Sequence, residues 1–244
     1  MPNKKILLVL MNSILVVMPM FFSCTTYNID DYQTLNTIRI AAVGDSITYG
    51  FTIKNKNKNS YPAQLKTMLG NSWSVLNFGV NGTTVLKKGD QPYWNQRQLQ
   101  DAYKFMPNVV VINFGTNDSK QQNWQYRDEF IADYIELITR FQQLESCPKI
   151  YICYPTPAYS EKFSINPKII QNEIPLLINK ISKQTGVEII DLYTPLSKKP
   201  ELFTDTIHPN ADGALIVAKT VFNKMANSSF QPYSTLRQNP SSDF

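Results

Sequence analysis

Five short hydrophobic runs recur along the chain after residue 37, and each is rich in the β-branched and aromatic residues that favour strands. They occupy residues 38–43, 73–78, 109–114, 149–154 and 187–192. The segments between them place apolar residues three or four positions apart, which is the spacing of an amphipathic helix. This helical pattern is clearest over 124–144 and weaker over 61–69, 169–182 and 211–225. Strands that alternate with helices predict a parallel sheet covered by helices on both faces, an α/β fold.

The two ends of the chain have a different character. Lys4 and Lys5 precede an apolar stretch over 6–22, and Ser23-Cys24 follows it. This order is typical of an export signal, and a small residue before a cysteine resembles the lipobox of bacterial lipoproteins, in which the cysteine is lipidated. An uncleaved anchor and an ordinary secretory signal are the alternatives. All three place the domain outside the cytoplasm, with the membrane as a partner through the N-terminal lipid when Cys24 is modified.

These patterns divide the chain into four parts. Residues 1–23 are predicted to be a signal peptide and 24–36 a polar tether. A single folded domain is predicted over 37–226, followed by a polar tail rich in Ser, Pro and Gln over 227–244. The polar tract over 54–59 alternates Lys with Asn, and we interpret it as a solvated loop, with anion recruitment as the alternative.

Composition excludes several classes of function. The 24 basic and 19 acidic residues leave a formal charge of +5, and the positive residues are scattered rather than clustered as in nucleic-acid-binding proteins. One histidine and three cysteines are too few for a multi-histidine metal centre or a multi-disulfide scaffold. Cys147 and Cys153 flank a predicted strand that would hold them about 20 Å apart, too far for a disulfide. We therefore interpret both as small buried hydrophobic residues.

Short polar and glycine-containing motifs of three to six residues lie at the ends of the first three predicted strands, and another precedes the last predicted helix. Because loops at the carboxyl ends of parallel strands converge on one crevice, these distant segments are expected to share a site. The motifs are Gly44-Asp45-Ser46, Asn77-Phe78-Gly79-Val80-Asn81-Gly82, Gly115-Thr116-Asn117-Asp118 and Asp205-Thr206-Ile207-His208.

On these motifs the chain, from about residue 38 to 225, resembles the SGNH (GDSL-type) hydrolases. The resemblance implies a flavodoxin-like three-layer α/β/α sandwich with a five-stranded parallel sheet. It also implies that Ser46 is the nucleophile and that Asp205 and His208 complete a catalytic triad. Gly82 and Asn117 correspond to the glycine of the family's second block and the asparagine of its third. It implies neither a metal nor an organic cofactor.

The chemistry of acyl transfer agrees with these assignments. A serine hydroxyl needs a neighbouring imidazole to accept its proton, and His208 is the only histidine. Asp205, three residues earlier, is close enough in sequence to orient that ring, and Pro209 predicts that His208 lies on a loop just before a helix. The oxyanion would accept hydrogen bonds from the Ser46 and Gly82 amides and from the Asn117 side chain. Gly79 is interpreted as a turn glycine.

Loops near the predicted site are polar and aromatic, which suits a sugar rather than a long acyl chain. Trp94 and Trp124 are therefore candidate substrate contacts, with core packing as the alternative, and Asp118 is interpreted as a structural brace. The surrounding pattern resembles sialate O-acetylesterase-like and other carbohydrate esterases. We predict a serine esterase that removes acetyl groups from O-acetylated glycans. The alternatives are a lysophospholipase or thioesterase and a catalytically inactive glycan-binding lipoprotein.

Overall fold

The computed structural model describes residues 37–227 of the chain. The predicted signal peptide, Cys24, the tether and residues 228–244 of the tail lie outside the described residues. Their assignments stay predictions. Within the described residues, no helix is long and apolar enough to cross a membrane.

Five parallel strands form one sheet, as the hydrophobic runs predicted. They are β1 (Ile38–Gly44), β2 (Trp73–Gly79), β3 (Val109–Asn113), β4 (Lys149–Tyr154) and β5 (Glu188–Asp191). Their order across the sheet is β2-β1-β3-β4-β5, which is the flavodoxin-like order, so this prediction is confirmed. The chain changes direction across the sheet between β1 and β3, which is where ligands bind in open sheets of this kind.

Nine helices lie within the described residues. They are α1 (Ser46–Tyr49), α2 (Lys56–Asn59), α3 (Tyr61–Leu69), α4 (Arg97–Lys104), α5 (Gln121–Trp124), α6 (Phe130–Gln142), α7 (Pro167–Asn172), α8 (Ile174–Thr185) and α9 (Ala211–Ala226).

The helices cover the sheet on both faces, because successive strand residues point to opposite sides. In β1, Ala41 and Val43 pack into a core shared with α4, α6, α7 and α8. Ile40 and Ala42 pack into a second core, shared with α3 and α9. The result is the three-layer sandwich that the sequence predicted.

Two predicted helices are each divided in the structure. The segment over 124–144 starts at the last residue of α5, passes through a 3₁₀ turn at Arg127–Glu129, and then forms α6. The segment over 169–182 is divided at Glu173, because Pro175 has no amide hydrogen to continue the ladder of α7 and instead lies in the first turn of α8. Apolar periodicity detected the buried faces but not these breaks.

Two further predictions need correction, and one helix was missed. The Lys/Asn tract is not entirely a loop, since α2 forms one exposed helical turn there, and helix α4 was not predicted. Cys153 is fully buried in β4 as expected. Cys147 is exposed, so its prediction as a buried residue was wrong. It lies at the turn between α6 and β4 with φ +43°, and its amide donates to Leu144 O at 2.9 Å.

Candidate active site

Ser46 lies where β1 ends and α1 begins, at the carboxyl edge of the sheet. Asp45 is the N-cap of α1, and its Oδ1 accepts a hydrogen bond from the Ile47 amide at 2.9 Å. Asn77 holds the same helix from the neighbouring strand, since its Nδ2 donates to Thr48 O at 2.8 Å. Gly79 closes β2 against this helix, where a β-carbon would collide with the Tyr49 and Thr48 backbone. Gly79 is thus required for close packing at a strand end rather than for a turn.

His208 reaches Ser46 from the other end of the chain. Its Nε2 lies 2.9 Å from Ser46 Oγ, although 162 positions separate the two residues. Asn210 caps α9 by accepting from the amides of Asp212 and Gly213, both at 3.0 Å, so the helix begins at Ala211, two residues after Pro209. The histidine therefore lies on the loop before a helix, as Pro209 predicted.

Asp205 holds the imidazole in position. Its Oδ2 lies 2.8 Å from His208 Nδ1, and its Oδ1 accepts hydrogen bonds from the Ile207 and His208 amides at 3.1 and 2.8 Å. The turn between them is tight, with Thr206 at φ +73°. Burial raises the pKa of Asp205, but the hydrogen bonds from the His208 ring and backbone outweigh that effect, and the pKa lies below its ordinary value. The carboxylate is therefore ionised at neutral pH and can orient the ring.

Gly82 and Asn117 supply the other polar groups at this edge. Gly82 has φ +77°, a conformation that favours glycine, and a β-carbon there would lie 2.7 Å from Gln91 Oε1. The side-chain nitrogen Nδ2 of Asn117 donates to Thr83 O at 3.1 Å, which places this side chain beside the Gly82 loop. Its second N–H is left for another acceptor. Among the described residues, the Ser46 and Gly82 amides donate to no acceptor. These groups can therefore donate to a negative oxygen.

Asn123 connects these loops, and sequence reasoning did not identify it. Its side chain is buried, and Nδ2 donates to Asn117 O at 2.8 Å and to Asp90 Oδ1 at 2.9 Å. Its Oδ1 accepts from the Asp90 amide at 2.8 Å. One side chain thus joins the loop after β3 to the loop after β2. Only its position five residues after Asp118 hinted at this role.

Two buried carboxyl groups lie behind the site. Asp118 Oδ1 accepts from the Leu86 amide at 2.9 Å, so Asp118 has the bracing contact that its structural interpretation required. Burial raises the pKa of Asp118 to about 7, and the charge of Asp45 raises it further. Burial also raises the pKa of Asp45 to about 7, although the hydrogen bonds to its carboxyl group lower the pKa in part. Both carboxyl groups therefore titrate near neutral pH.

Comparisons with known proteins identify the family of this chain. The model of the GDSL-like lipase/acylhydrolase family matches residues 42–216, which include Ser46 and His208. The chain belongs to this family. The predicted resemblance is thereby confirmed.

The chain is 40% identical over 204 residues to an acetylxylan esterase from Xylanibacter ruminicola. The match covers 76% of this chain but only 42% of that protein, so the chain spans less than half of its relative. Solved structures with the same fold include Est24, a carbohydrate acetylesterase from Sinorhizobium meliloti, with 16% identity, a TM-score of 0.61, and coverage of 78% of this chain and 98% of that one. A two-domain esterase active on acetylated mannans has 21% identity and a TM-score of 0.58, covering 80% of this chain and 51% of that one.

Trp94, one predicted substrate contact of this GDSL-family chain, lies among packing partners. Its indole N–H donates to Val85 O at 2.7 Å. Lys87 Nζ and the Arg140 guanidinium stack over its ring at 4.5 and 5.3 Å. These contacts favour the packing interpretation for Trp94, and its contact with substrate stays a prediction.

Trp124, the other predicted contact, is also largely buried. Its indole N–H donates to Glu173 Oε2 at 3.0 Å, and its ring packs edge-on against Phe130. One edge of Trp124 lines a surface cleft of about 390 Å³, together with Gln121, Gln125, Arg127, Asn166 and Ile169. Asn166 is joined to the loop after Asn117, since its amide donates to Ser119 Oγ at 3.0 Å. Contact of Trp124 with substrate stays a prediction.

Two other aromatic residues, which sequence reasoning missed, do reach the site. Phe51 packs edge-on against the His208 ring at 4.7 Å between centroids, and Phe163 lies tilted against it at 6.0 Å. Both are exposed. The only sequence signal was that Phe51 follows Ser46 by five residues.

Within the described residues, no group of three His, Cys, Asp or Glu side chains could hold a metal ion.

Proposed function

We propose that this protein is a serine esterase that hydrolyses acetyl esters on O-acetylated carbohydrate. The observation that carries the proposal is the hydrogen-bonded series from Ser46 Oγ through His208 to Asp205, with lengths of 2.9 and 2.8 Å. Family membership supports ester hydrolysis. The acetylxylan esterase relative and the carbohydrate acetylesterases of the same fold support acetylated sugar as the substrate class.

The geometry supports a two-step mechanism. Ser46 Oγ attacks the acetyl carbonyl carbon as its proton moves to His208 Nε2. The resulting oxyanion accepts hydrogen bonds from the Ser46 and Gly82 amides and the Asn117 side chain. When the tetrahedral intermediate collapses, Nε2 gives its proton to the departing sugar oxygen. The ionised Asp205 carboxylate stabilises the imidazolium that exists between these transfers.

Water completes the reaction on the acetylated serine. It attacks the ester carbonyl while His208 Nε2 takes one of its protons, and a second oxyanion forms in the same place. Collapse of this intermediate breaks the bond to Ser46 Oγ, which recovers its proton from Nε2, and acetate leaves. The cycle uses only water and the side chains described above.

An acetate-release assay tests the proposal. Purified protein is incubated with acetylated xylan, pectin, sialic acid and peptidoglycan fragments, and acetate is measured against the Ser46→Ala variant. We expect release from at least one acetylated glycan by the parent protein only. Equal release by the parent and the variant, or none from any acetyl ester, would refute the proposal.

Acyl-chain length separates the proposal from a lysophospholipase or thioesterase. Nitrophenyl esters of two-carbon and twelve-carbon acids carry the same leaving group, so their relative rates report only the acyl site. We expect the two-carbon ester to be preferred. A preference for the twelve-carbon ester would support the lipid-directed alternative, and sugar binding without turnover would support an inactive glycan-binding protein.

We further propose that the protein is anchored outside the cytoplasm by a lipid on Cys24. The support is the order of basic, apolar and Ser-Cys segments at the N-terminus. Metabolic labelling with a fatty-acid analogue should mark the parent chain in the membrane fraction. A Cys24→Ala variant that is labelled equally would overturn this proposal without affecting the proposed esterase activity.

A further inference from the structure

Two phenylalanines stand on the solvent side of His208. Phe51 is 39% exposed and Phe163 is 52% exposed, yet their ring centroids lie 4.7 and 6.0 Å from that of the imidazole. The described part of the chain has only two other large hydrophobic side chains this exposed, Leu76 and Leu176. Half of the strongly exposed apolar side chains there therefore adjoin the one histidine.

The backbone holds Phe51 in fixed relation to the nucleophile. Its amide donates to Ser46 O at 3.0 Å, and Gly50 before it takes a left-handed conformation with φ +84°. The segment from Ser46 to Phe51 is thus one tight turn in which a single carbonyl accepts from the amides of both Gly50 and Phe51. Phe51 cannot move far without moving Ser46.

Phe163 is held by an unusual loop conformation. Phe163 and Ser164 are consecutive non-glycine residues with φ of +57° and +61°, a conformation disfavoured for bulky side chains. Ile165 after them is buried, and the Asn166 amide donates to Ser119 Oγ at 3.0 Å, which joins the loop to the segment after Asn117. Left-handed backbone of this kind persists where the surrounding structure enforces it, and it clusters at ligand sites.

The direction of the reaction decides which part of a substrate these rings meet. The carbonyl oxygen must face the donors at Gly82 and Asn117. The leaving oxygen must lie near His208 Nε2, because that atom gives it a proton. The alcohol half of the ester therefore extends past the imidazole toward the exposed rings of Phe51 and Phe163. The acetyl group does not extend in that direction.

We propose that Phe51 and Phe163 form the subsite for the sugar ring that leaves, and that they determine selectivity for acetyl esters of cyclic sugars over those of small acyclic alcohols. This inference rests on the proposed function. The C–H faces of a pyranose are apolar and cover aromatic rings well, whereas a short alkyl alcohol covers little of either ring. The residues act by binding the alcohol half and take no part in proton transfer.

A leaving-group comparison at constant acyl group tests the subsite. The substrates are a monoacetylated methyl xylopyranoside and ethyl acetate, and the variants are Phe51→Ala, Phe163→Ala and Phe163→Trp. We expect each alanine variant to lower kcat/KM on the xyloside by about 10-fold, mainly through KM. On ethyl acetate we expect a change of less than about twofold, because the acyl half does not meet these rings. Phe163→Trp should retain the parent's selectivity.

Leu176→Ala is the control, since Leu176 is a large apolar residue on α8 that is even more exposed than either phenylalanine. It should leave both substrates unchanged. Equal losses on both esters would overturn the subsite, because they would mean that the rings only hold the imidazole. Unchanged kcat/KM on the xyloside would overturn it as well. A parent protein inactive on every acetyl ester would instead overturn the proposed function and the subsite with it.

Discussion

The two sides of Ser46 are built in contrasting ways. On the Gly82 and Asn117 side, polar side chains are buried and joined to one another, as Asn123 joins the Asn117 carbonyl to Asp90. On the Phe51 and Phe163 side, apolar rings are exposed to solvent. The first arrangement suits a small charge that must be stabilised at one point, since fixed donors need no reorganisation during reaction. The second suits a ring of variable substitution, which binds by apolar contact. The comparison suggests that rate is determined on one side of the nucleophile and selectivity on the other.

Removal of the nucleophile should have the largest effect, because both sides act through Ser46. Ser46→Ala is expected to lower kcat by more than about 10⁴-fold on every acetyl ester. His208→Ala should lose about as much, and the double variant little more, since the two residues act as one unit. Steady-state kinetics with nitrophenyl acetate measures all three. Additive losses would contradict the shared mechanism.

Truncation on the polar side should lower the rate without changing selectivity. Asn117→Ala is expected to reduce kcat by about 10² to 10³-fold, on the xyloside and on ethyl acetate alike, because the oxyanion forms with both. Circular dichroism would verify that the fold is retained. A loss confined to the sugar ester would break the comparison, since it would assign Asn117 to sugar binding.

A smaller loss is expected from the residue that positions Asn117. Asn123→Ala removes two donated hydrogen bonds and one accepted hydrogen bond. It should lower kcat about 10-fold and lower the unfolding free energy by about 1 to 3 kcal/mol, because buried partners lose their bonds. Gln142→Ala, at an exposed position of α6, is the control and should change neither. Lower stability with an unchanged kcat would make Asn123 a purely structural residue.

The smallest expected effect is on the pH dependence of the unfolding free energy, to which the buried carboxyl groups of Asp45 and Asp118 contribute. The pKa values of Asp45 and Asp118 are raised to about 7, so the folded protein binds more protons than the unfolded chain between about pH 4 and 7. Because the unfolded state binds fewer protons in that window, the unfolding free energy should fall as pH rises through it. Asp118→Asn should reduce that fall by on the order of 1 kcal/mol, as measured by urea unfolding at pH 5 and pH 8. An identical fall in the variant would show that Asp118 does not contribute.

Asp205 should affect stability with pH in the opposite direction from Asp45 and Asp118. Asp205 has a lowered pKa, so its contribution to stability is present above the ordinary value near 3.8 and is lost as pH falls through the folded-state pKa. Its effect therefore lies below the window in which Asp45 and Asp118 act. Unfolding measured from pH 3 to pH 8 should show stability rising first and then falling.

The sequence was most informative where chemistry and strand order coincide. A single histidine, the serine after the first strand and the parallel α/β pattern predicted the meeting of Ser46 with His208, since strand ends in such a sheet face one crevice. The breaks at Arg127–Glu129 and Glu173 escaped prediction because apolar periodicity reports the buried face of a helix and continues in phase across a short interruption. Substrate contact at Trp94 stays a prediction, because an aromatic residue in a polar loop packs against long cationic side chains, here Lys87 and Arg140, as readily as against substrate.

The sequence by itself determined the fold class and the family and predicted the reactive groups, because all three depend on residue type and on spacing along the chain. Only the tertiary structure decided which side chains surround the reactive groups. Phe51 and Phe163 are 112 positions apart and have no common motif, and they meet at His208 because α1 and the loop after β4 lie at the same edge of the sheet. Asn123 likewise gains its role from a loop brought beside it by the sheet. Contacts of this kind depend on distances through space, which the order of residues does not record.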